Sequence, residues 1–341
     1  MIDGHAPGLD VDRLARWWHE AVGPLDSPLS GHLLTGGKSN LTYEVTDGMT
    51  HWVVRRPPLG HVLATAHDMA REYRVMSALW GTDVPVPATR ALCNDDSVIG
   101  APFYVMERVQ GTPYRFASEL EPLGKERTTR IAERLIDTLA AVHAVEPGSV
   151  GLADFGRPDG YLARQVARWQ KQMAASKTRE LPAADRLHEL LAAKLPAEQP
   201  PTIVHGDYRL DNVLFDGEDR PTAVLDWEMA TLGDPLADLS LMLIYGRLGK
   251  MQLAGAVSDV ALAPGYPDED AIASQYAERT GRDISRLGFY LGLAAYKLAA
   301  ILEGINYRHI RGQTVGPGFD GLDEKVDALL DAGLTATGEV N

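Results

Sequence analysis

The segment IVHGDYRLDNVLFDGEDRPTAVLDWE, residues 203–228, concentrates more chemical specification than any other stretch of this 341-residue chain. An apolar lead-in, Ile203 and Val204, delivers His205, Gly206 and Asp207, and Asn212 follows five positions after that aspartate. Two short apolar runs, Val213 to Phe215 and Ala223 to Leu225, flank Asp216, Gly217, Glu218 and Asp219. This is the pattern of a hairpin with a loop of several residues. The second run ends on Asp226. A tight hairpin is expected to bring Asn212 at its entry near Asp226 at its exit, with Asp207 beside them. Two carboxylates and an amide oxygen make a hard oxygen site suited to Mg²⁺ completed by phosphate oxygens and water.

Upstream of this segment the chain reads as two blocks. Asp10 caps a first helix, about residues 11–22, and short strands follow at 30–34, 41–46 and 51–55, separated by glycine-containing turns. A helical run from Ala64 to Leu79 carries Glu72. Prolines hold VPVPATRALC extended, and Phe103 to Glu107 is a further strand. After Gly111 the pattern turns helical. Residues 126–145 place Ile131, Leu135, Ile136, Leu139 and Val142 on one face, 161–175 and 183–195 form a helical pair, and helices return near 268–280, 284–309 and 322–330. The expected division is an N-terminal helix (1–28), a small antiparallel sheet with one long helix (29–110), and a larger, mainly helical part (111–341) with a helical insertion at about 156–196.

Bulk composition narrows the function classes. Lys and Arg number 33 against 47 Asp and Glu, a formal net charge of −14. That surface repels polyphosphate backbones, so nucleic acid is not expected as a partner. Cys93 is the only cysteine, which excludes an intrachain disulfide or cysteine-rich zinc site and fits a reducing, cytoplasmic setting. The first residues show no basic segment followed by an apolar core. The apolar stretch from Leu287 to Ile305, interrupted by Lys297 and Glu303, reads as a buried helix and not a membrane span. Gly37-Lys38-Ser39 resembles the end of a P-loop, but the next residues alternate like a strand where a P-loop needs a helix. Gly316, Gly318 and Gly321 fit GxGxxG without a preceding strand. There is no GxSxG elbow and no zincin histidine pair.

H-G-D-x-x-x-x-N, followed by an aspartate at the end of the next strand, resembles the catalytic segment of aminoglycoside phosphotransferases and related small-molecule kinases, a branch of the protein-kinase-like fold. The likeness extends over residues 29–313: a sheet, a strand bearing a cation (Val53-Val54-Arg55), a helix bearing Glu72, a strand running into Met106-Glu107-Arg108-Val109, then a helical part. RRPP, SVIGAPFYVMERVQG and LDWEMATLGDPLADL look closest to the subgroup whose kinase-like domain is fused to acyl-CoA dehydrogenases. The resemblance implies a two-lobed α+β kinase-like fold and the cofactors ATP and Mg²⁺, with GTP left open. Asp207 would accept or orient the proton of the attacking hydroxyl, Arg209 would stabilise the transferring phosphoryl group, and Asn212 and Asp226 would hold the metal. Gly36, Gly37, Lys38, Ser39 and Asn40 would cover the phosphates. Arg55, where protein kinases carry lysine, would bridge the phosphates and Glu72; strand alternation favours it over Arg56. Met106 would back the adenine, with the carbonyl of Glu107 and the N–H of Val109 on its edge. His205 and Asp238 would be structural supports of the catalytic loop. Blander readings stand beside three of these: a surface salt bridge for Arg209, core packing for Met106, and an ordinary turn for residues 36–40.

The acceptor is expected to be a small molecule. Arg164, Arg168, Lys171, Lys177 and Arg179 in the insertion, with Tyr307, Arg308, His309 and Arg311, favour an anionic or mixed acceptor such as a hydroxyacyl-CoA over a polycationic antibiotic. The competing readings are an aminoglycoside phosphotransferase, a silent nucleotide-binding pseudokinase, which the intact Asp207, Asn212 and Asp226 oppose, and a protein kinase, which the lack of an APE-type segment disfavours. Oligomeric state is not legible.

Overall fold

The protein is described from a computed structural model covering residues 6–34, 40–59, 68–251, 258–314, 319 and 321–338. The chain divides into two compact units, one comprising Met1–Gly111 with Thr222–Ala230 and the other Thr112–Pro221 with Thr231–Asn341.

The first unit is built on an antiparallel sheet. Its strands are β1 (Ser30–Leu33), β2 (Leu41–Thr46), β3 (His51–Arg56), β4 (Thr89–Cys93) and β5 (Phe103–Glu107), in the order β1-β2-β3-β5-β4. Helix α1 (Val11–Ala21) begins where the Asp10 carboxylate accepts the Arg13 N–H. Its Leu14 and Trp18 are fully buried with Tyr43, Val45, Val54, Phe103 and Val105. Trp17 and Trp18 set their rings edge-on to Phe103 and Trp52, with centroids 4.8 and 4.9 Å apart. Each large side chain so buried contributes about 1.5–3 kcal/mol, so α1 is part of this core. Helix α2 (Met69–Leu79) starts at the Asp68 cap, and the expected beginning at Ala64 lies outside the described residues. Its buried face, Glu72 included, packs on β4, β5 and the turn at Trp227–Met229. A single turn, α3 (Asp96–Ile99), joins β4 to β5.

The second unit is mainly helical: α4 (Ala117–Leu120), α5 (Lys125–Ala144), α6 (Tyr161–Ser176), α7 (Pro182–Ala193), α8 (Leu236–Lys250), α9 (Glu269–Thr280), α10 (Leu287–Ile310) and α11 (Leu322–Ala336). α10 is long and apolar enough to cross a membrane by composition alone, but 72% of its apolar window is buried inside the protein. α6, α7, α8 and α11 pack around it. Two short strands, β6 (Thr202–Val204) and β9 (Thr231–Gly233), pair antiparallel, and β7 (Val213–Phe215) bridges to Thr112. The turn after β7 is closed by the Asp216 N–H on the Arg220 carbonyl at 2.9 Å. β8 (Pro221–Val224) then carries the chain back to the sheet unit.

Candidate active site

In the sheet unit, alternation along β3 sends its two arginines to different partners. Arg56 is buried and gives its guanidinium to the carbonyls of Gly8 at 2.8 Å and Ile99 at 2.6 Å, a structural tie. Arg55 turns to the other face. Its Nε donates to Glu72 Oε2 at 3.0 Å and its Nη2 to Asp226 Oδ1 at 2.5 Å, with Glu228 Oε2 4.0 Å away. Burial alone would weaken the arginine's hold on its proton, but Glu72, Tyr104, Asp226 and Glu228 outweigh it and keep Arg55 charged at any ordinary pH. Burial pushes the Glu72 carboxyl up to about 7, against the pull of Arg55. Tyr104, opposite Arg55 in the β3–β5 register, is fully buried and hydrogen-bonded to Glu72.

Asp226 is one of two described non-glycine residues with positive φ, at 66°. Aspartate tolerates this left-handed conformation better than most residues. The sharp turn lets Trp227 bury completely and donate Nε1–H to the Val224 carbonyl at 2.9 Å. Glu228 Oε2 in turn accepts from Asn40 Nδ2 at 3.0 Å, which ties the start of β2 to the aspartate segment. Gly36, Gly37, Lys38 and Ser39 lie outside the described residues. Met106 is buried on β5 opposite Val53, Glu107 is exposed, and the carbonyl of Val109 accepts from Arg108 at 2.7 Å.

The helical unit holds the other candidate residues, and one carboxylate organises them. Asp238, on the first turn of α8, is fully buried. It accepts the N–H of His205 at 2.7 Å and of Gly206 at 2.8 Å, and lies 3.2 Å from His143 Nε2. Burial would raise the Asp238 carboxyl, but His143 and these donors hold it below the usual range. Burial keeps the His143 imidazole neutral, with Tyr276 OH 2.7 Å from its Nδ1. His205 is wholly buried; its Nδ1 accepts the Asp207 N–H at 3.3 Å, a loop-ordering role. Gly206 sits at φ 87°, which only glycine adopts at no steric cost, and this bend separates the buried histidine from the outward aspartate.

Asp207 is fixed from three directions. Tyr245 OH donates to its Oδ1 at 3.0 Å, and Asn212 Nδ2 donates to its backbone carbonyl at 2.8 Å. Arg209 Nε lies 3.4 Å from Oδ2, while Arg209 Nη2 is 3.2 Å from Asp211 Oδ2. Burial raises the Asp211 carboxyl. Lys297, on α10, donates Nζ–H to the Gly206 carbonyl at 2.8 Å and lies 5.6 Å from the Trp169 ring centroid. Burial pushes its ammonium down, against Asp207 and Asp238. Tyr208 and Leu210, buried between the polar residues, anchor the loop. The amide nitrogen of Asn212 is docked on the loop, which leaves Oδ1 as the side chain's acceptor atom. Asn212 and Asp226 are the hard-oxygen type that suits Mg²⁺. Among the described residues, no group of three or more His, Cys, Asp and Glu side chains is placed to hold a metal ion.

A family model described as the phosphotransferase enzyme family matches residues 30–272. The chain belongs to this family. Among solved phosphotransferase-like structures, a Ralstonia eutropha protein described as a candidate aminoglycoside phosphotransferase superposes with a TM-score of 0.85 at 36% identity, over 96% of this chain and 98% of that one. Aminoglycoside phosphotransferase APH(4)-Ia, solved with AMP-PNP and hygromycin B, shares the fold at a TM-score of 0.61 and 16% identity, over 94% of this chain and 98% of that one. The kinase-like α+β fold expected from the sequence is therefore the fold of this phosphotransferase chain. Acyl-CoA dehydrogenase family member 11 of Homo sapiens is 36% identical over 87% of this chain and 39% of its own length. Family member 10 of Mus musculus is 37% identical over 86% of this chain and 27% of its own length. The chain thus spans less than half of these relatives. They bear out the expected likeness to the fused subgroup.

Three residues that organise the loop, His143, Tyr245 and Lys297, were not assigned such roles from the sequence. Lys297 left a signal as a cation inside an apolar helix; the other two left none. Three of the five cations named in the insertion have partners within the protein. Lys177 pairs with Glu180 and Asp185 at 3.3 and 3.4 Å, Arg179 pairs with Glu303 and Asp327 at 3.5 and 2.5 Å, and Arg164 is spent on the carbonyls of Asp159 and Arg157.

Proposed function

We propose that this phosphotransferase moves the γ-phosphoryl group of ATP to a hydroxyl of a small molecule, with Mg²⁺ as cofactor. The observation that carries the reading is the oriented Asp207, whose Oδ1 is held by Tyr245 and whose backbone carbonyl is held by Asn212. Phosphoryl transfer asks a protein mostly for positioning and charge neutralisation. Asp207 takes the proton of the attacking hydroxyl, and Arg209 faces the charge that builds on the transferring group. Arg55 gives its fork to phosphate oxygens, with Glu72 keeping the guanidinium in place. Asn212 and Asp226 would hold Mg²⁺, which when bound neutralises the phosphates. Gly36, Gly37, Lys38, Ser39 and Asn40 would cover the phosphates, and Met106, Glu107 and Val109 would receive the base; these residues do not separate ATP from GTP.

An acceptor of anionic or mixed charge is favoured. A cavity of about 30 Å³ beside the catalytic loop, room for a single water and not for an acceptor, shows only the make-up of this wall: Arg209, Leu210, Met242, Leu243, Tyr245 and Ile272 among others. Among the described lining residues the one carboxylate, Glu269, is engaged by Arg247 at 2.8 Å. A polycationic antibiotic needs several carboxylates, whereas a hydroxyacyl-CoA or similar hydroxylated metabolite does not. The acidic composition and single cysteine support a cytoplasmic setting with neither nucleic acid nor membrane as partner. The test is a screen of hydroxylated metabolites and acyl-CoA esters with ATP and Mg²⁺, read by the mass shift of one phosphoryl group. A product from the acyl-CoA set, abolished by Asp207→Ala, is expected. Saturable phosphorylation of kanamycin at micromolar KM overturns the acceptor assignment.

A further inference from the structure

We propose that Tyr245 is a positioning residue for the base, selecting Asp207 Oδ2 as the oxygen that receives the acceptor's proton and carrying Arg209 on its ring. The inference rests on the phosphotransferase reading and deepens it. Tyr245 reaches the loop from α8, its hydroxyl donating to Asp207 Oδ1 at 3.0 Å. Among the described residues the other carboxylate oxygen has long contacts, 3.4 Å to Arg209 Nε and 3.4 Å to Asn212 Nδ2. Distances of that length are weak hydrogen bonds, so the two oxygens are inequivalent: Oδ1 is committed and Oδ2 keeps the more available lone pairs. A carboxylate rotates about a broad, nearly two-fold torsion unless something holds it. The tyrosine hydroxyl supplies that hold and cannot itself compete as a base, because burial and the charge of Asp207 keep it protonated.

The ring does separate work. Arg209 Cζ lies 5.1 Å from the Tyr245 ring centroid, while Asp211 takes Nη2 at 3.2 Å. The guanidinium is thus held on its face by the ring and at one end by a carboxylate. In the step this arrangement serves, the acceptor O–H bond breaks and its proton goes to Asp207 Oδ2. The acceptor oxygen bonds to the γ-phosphorus, and the bond from that phosphorus to the β–γ bridging oxygen breaks with its electron pair, releasing ADP.

The test uses the full chain with ATP and Mg²⁺ and reads ADP formation with water as the acceptor, so that no organic acceptor has to be known. Tyr245→Phe, which keeps the ring, is expected to lower kcat about tenfold, the usual weight of one oriented hydrogen bond to a charged group. The KM for ATP should stay within about twofold and the melting temperature within a few degrees. In an Asp207→Asn background the same substitution should cost nothing further, because the pair acts as a unit. Equal losses in both backgrounds, or no loss beside a collapsed Asp207→Asn, would leave the tyrosine merely structural and overturn the inference. If Asp207→Asn itself turns over normally, the phosphotransferase reading fails first; a chain that forms no ADP from water leaves the decision on the tyrosine to the resonance below. Independently of turnover, the ¹³Cζ resonance of Tyr245, identified by its loss in Tyr245→Phe, should move in Asp207→Asn; a resonance that stays put removes the contact and the proposal with it.

Discussion

The two units hold their candidate residues by different means. In the sheet unit, charge is held by charge: Arg55 sits between Glu72 and Asp226, with Glu228 beyond. In the helical unit, one buried carboxylate, Asp238, is satisfied by backbone N–H groups and a neutral histidine, and the exposed chemistry is fixed through it. A charge network can change its proton count when a partner is lost. A carboxylate wired to backbone donors has no such escape, so its loss is felt as broken structure.

The largest effect should come from removing the function that the helical unit's wiring presents. Asp207→Ala is expected to lower phosphoryl transfer by about 10²- to 10⁴-fold, measured as ADP release, with little change in the unfolding midpoint. Asp238→Ala breaks the wiring itself. It orphans two buried N–H groups and His143, and should cost about 3 kcal/mol or more by guanidinium unfolding, taking activity with it. An unfolding midpoint close to that of the unaltered chain would erase the contrast between the units.

Arg55→Met is the matching cut in the sheet unit. Glu72, already raised to about 7, simply keeps its proton below that pH. The expected cost is therefore about 1–2 kcal/mol at pH 6, rising by about 1.4 kcal/mol for each pH unit above the carboxyl's midpoint. A cost that does not change with pH would show that Glu72 is held as an anion by something other than the arginine.

The smallest effect sharpens the comparison most. The His143 imidazole is lowered from 6.5, so its contribution is complete above that pH and is lost as pH falls below it. Glu72 is raised from 4.5 to about 7, so its contribution is complete below 4.5 and is lost as pH rises toward 7. Acidification from pH 7 to 5.5 should thus weaken β6 and α5 and strengthen β3 and β5, each by about 1–2 kcal/mol. Amide hydrogen exchange, read separately in the two units, checks the opposite signs. Protection that falls in both would refute the opposition.

How much of this was legible in the sequence depended on range. The cap Asp10, the strand segments at 30–34, 41–46, 51–55 and 103–107 and the choice of Arg55 over Arg56 follow from local spacing, because capping and strand alternation act within a few positions. α8 did not declare itself. Its run, LADLSLMLIYG, is apolar on nearly every side because the helix is buried nearly all round, so no amphipathic period marks it. β6 and β9 are three residues each and pair across 26 intervening positions, too little signal for either strand to be seen alone. In the candidate site, motif spacing supplied Asp207, Asn212 and Asp226. Tyr245, Lys297 and His143 reach the loop from 38, 91 and 95 residues away in the contacts they make, and such pairings are set by packing that no local pattern encodes.

The turn at Asp216–Arg220 bears on how this chain can be re-engineered. Turns joining short strands are where insertions and new termini are usually tolerated. Here Asp219 is buried at φ 62°, gripped by Arg127 at 2.6 Å and Arg130 at 3.0 Å, while Arg134 takes the Glu218 carbonyl at 2.6 Å. A reporter spliced at Gly217 or a split point cut there would have to unseat three arginines of α5. The tip that looks freest in the sequence is a poor place to open this protein.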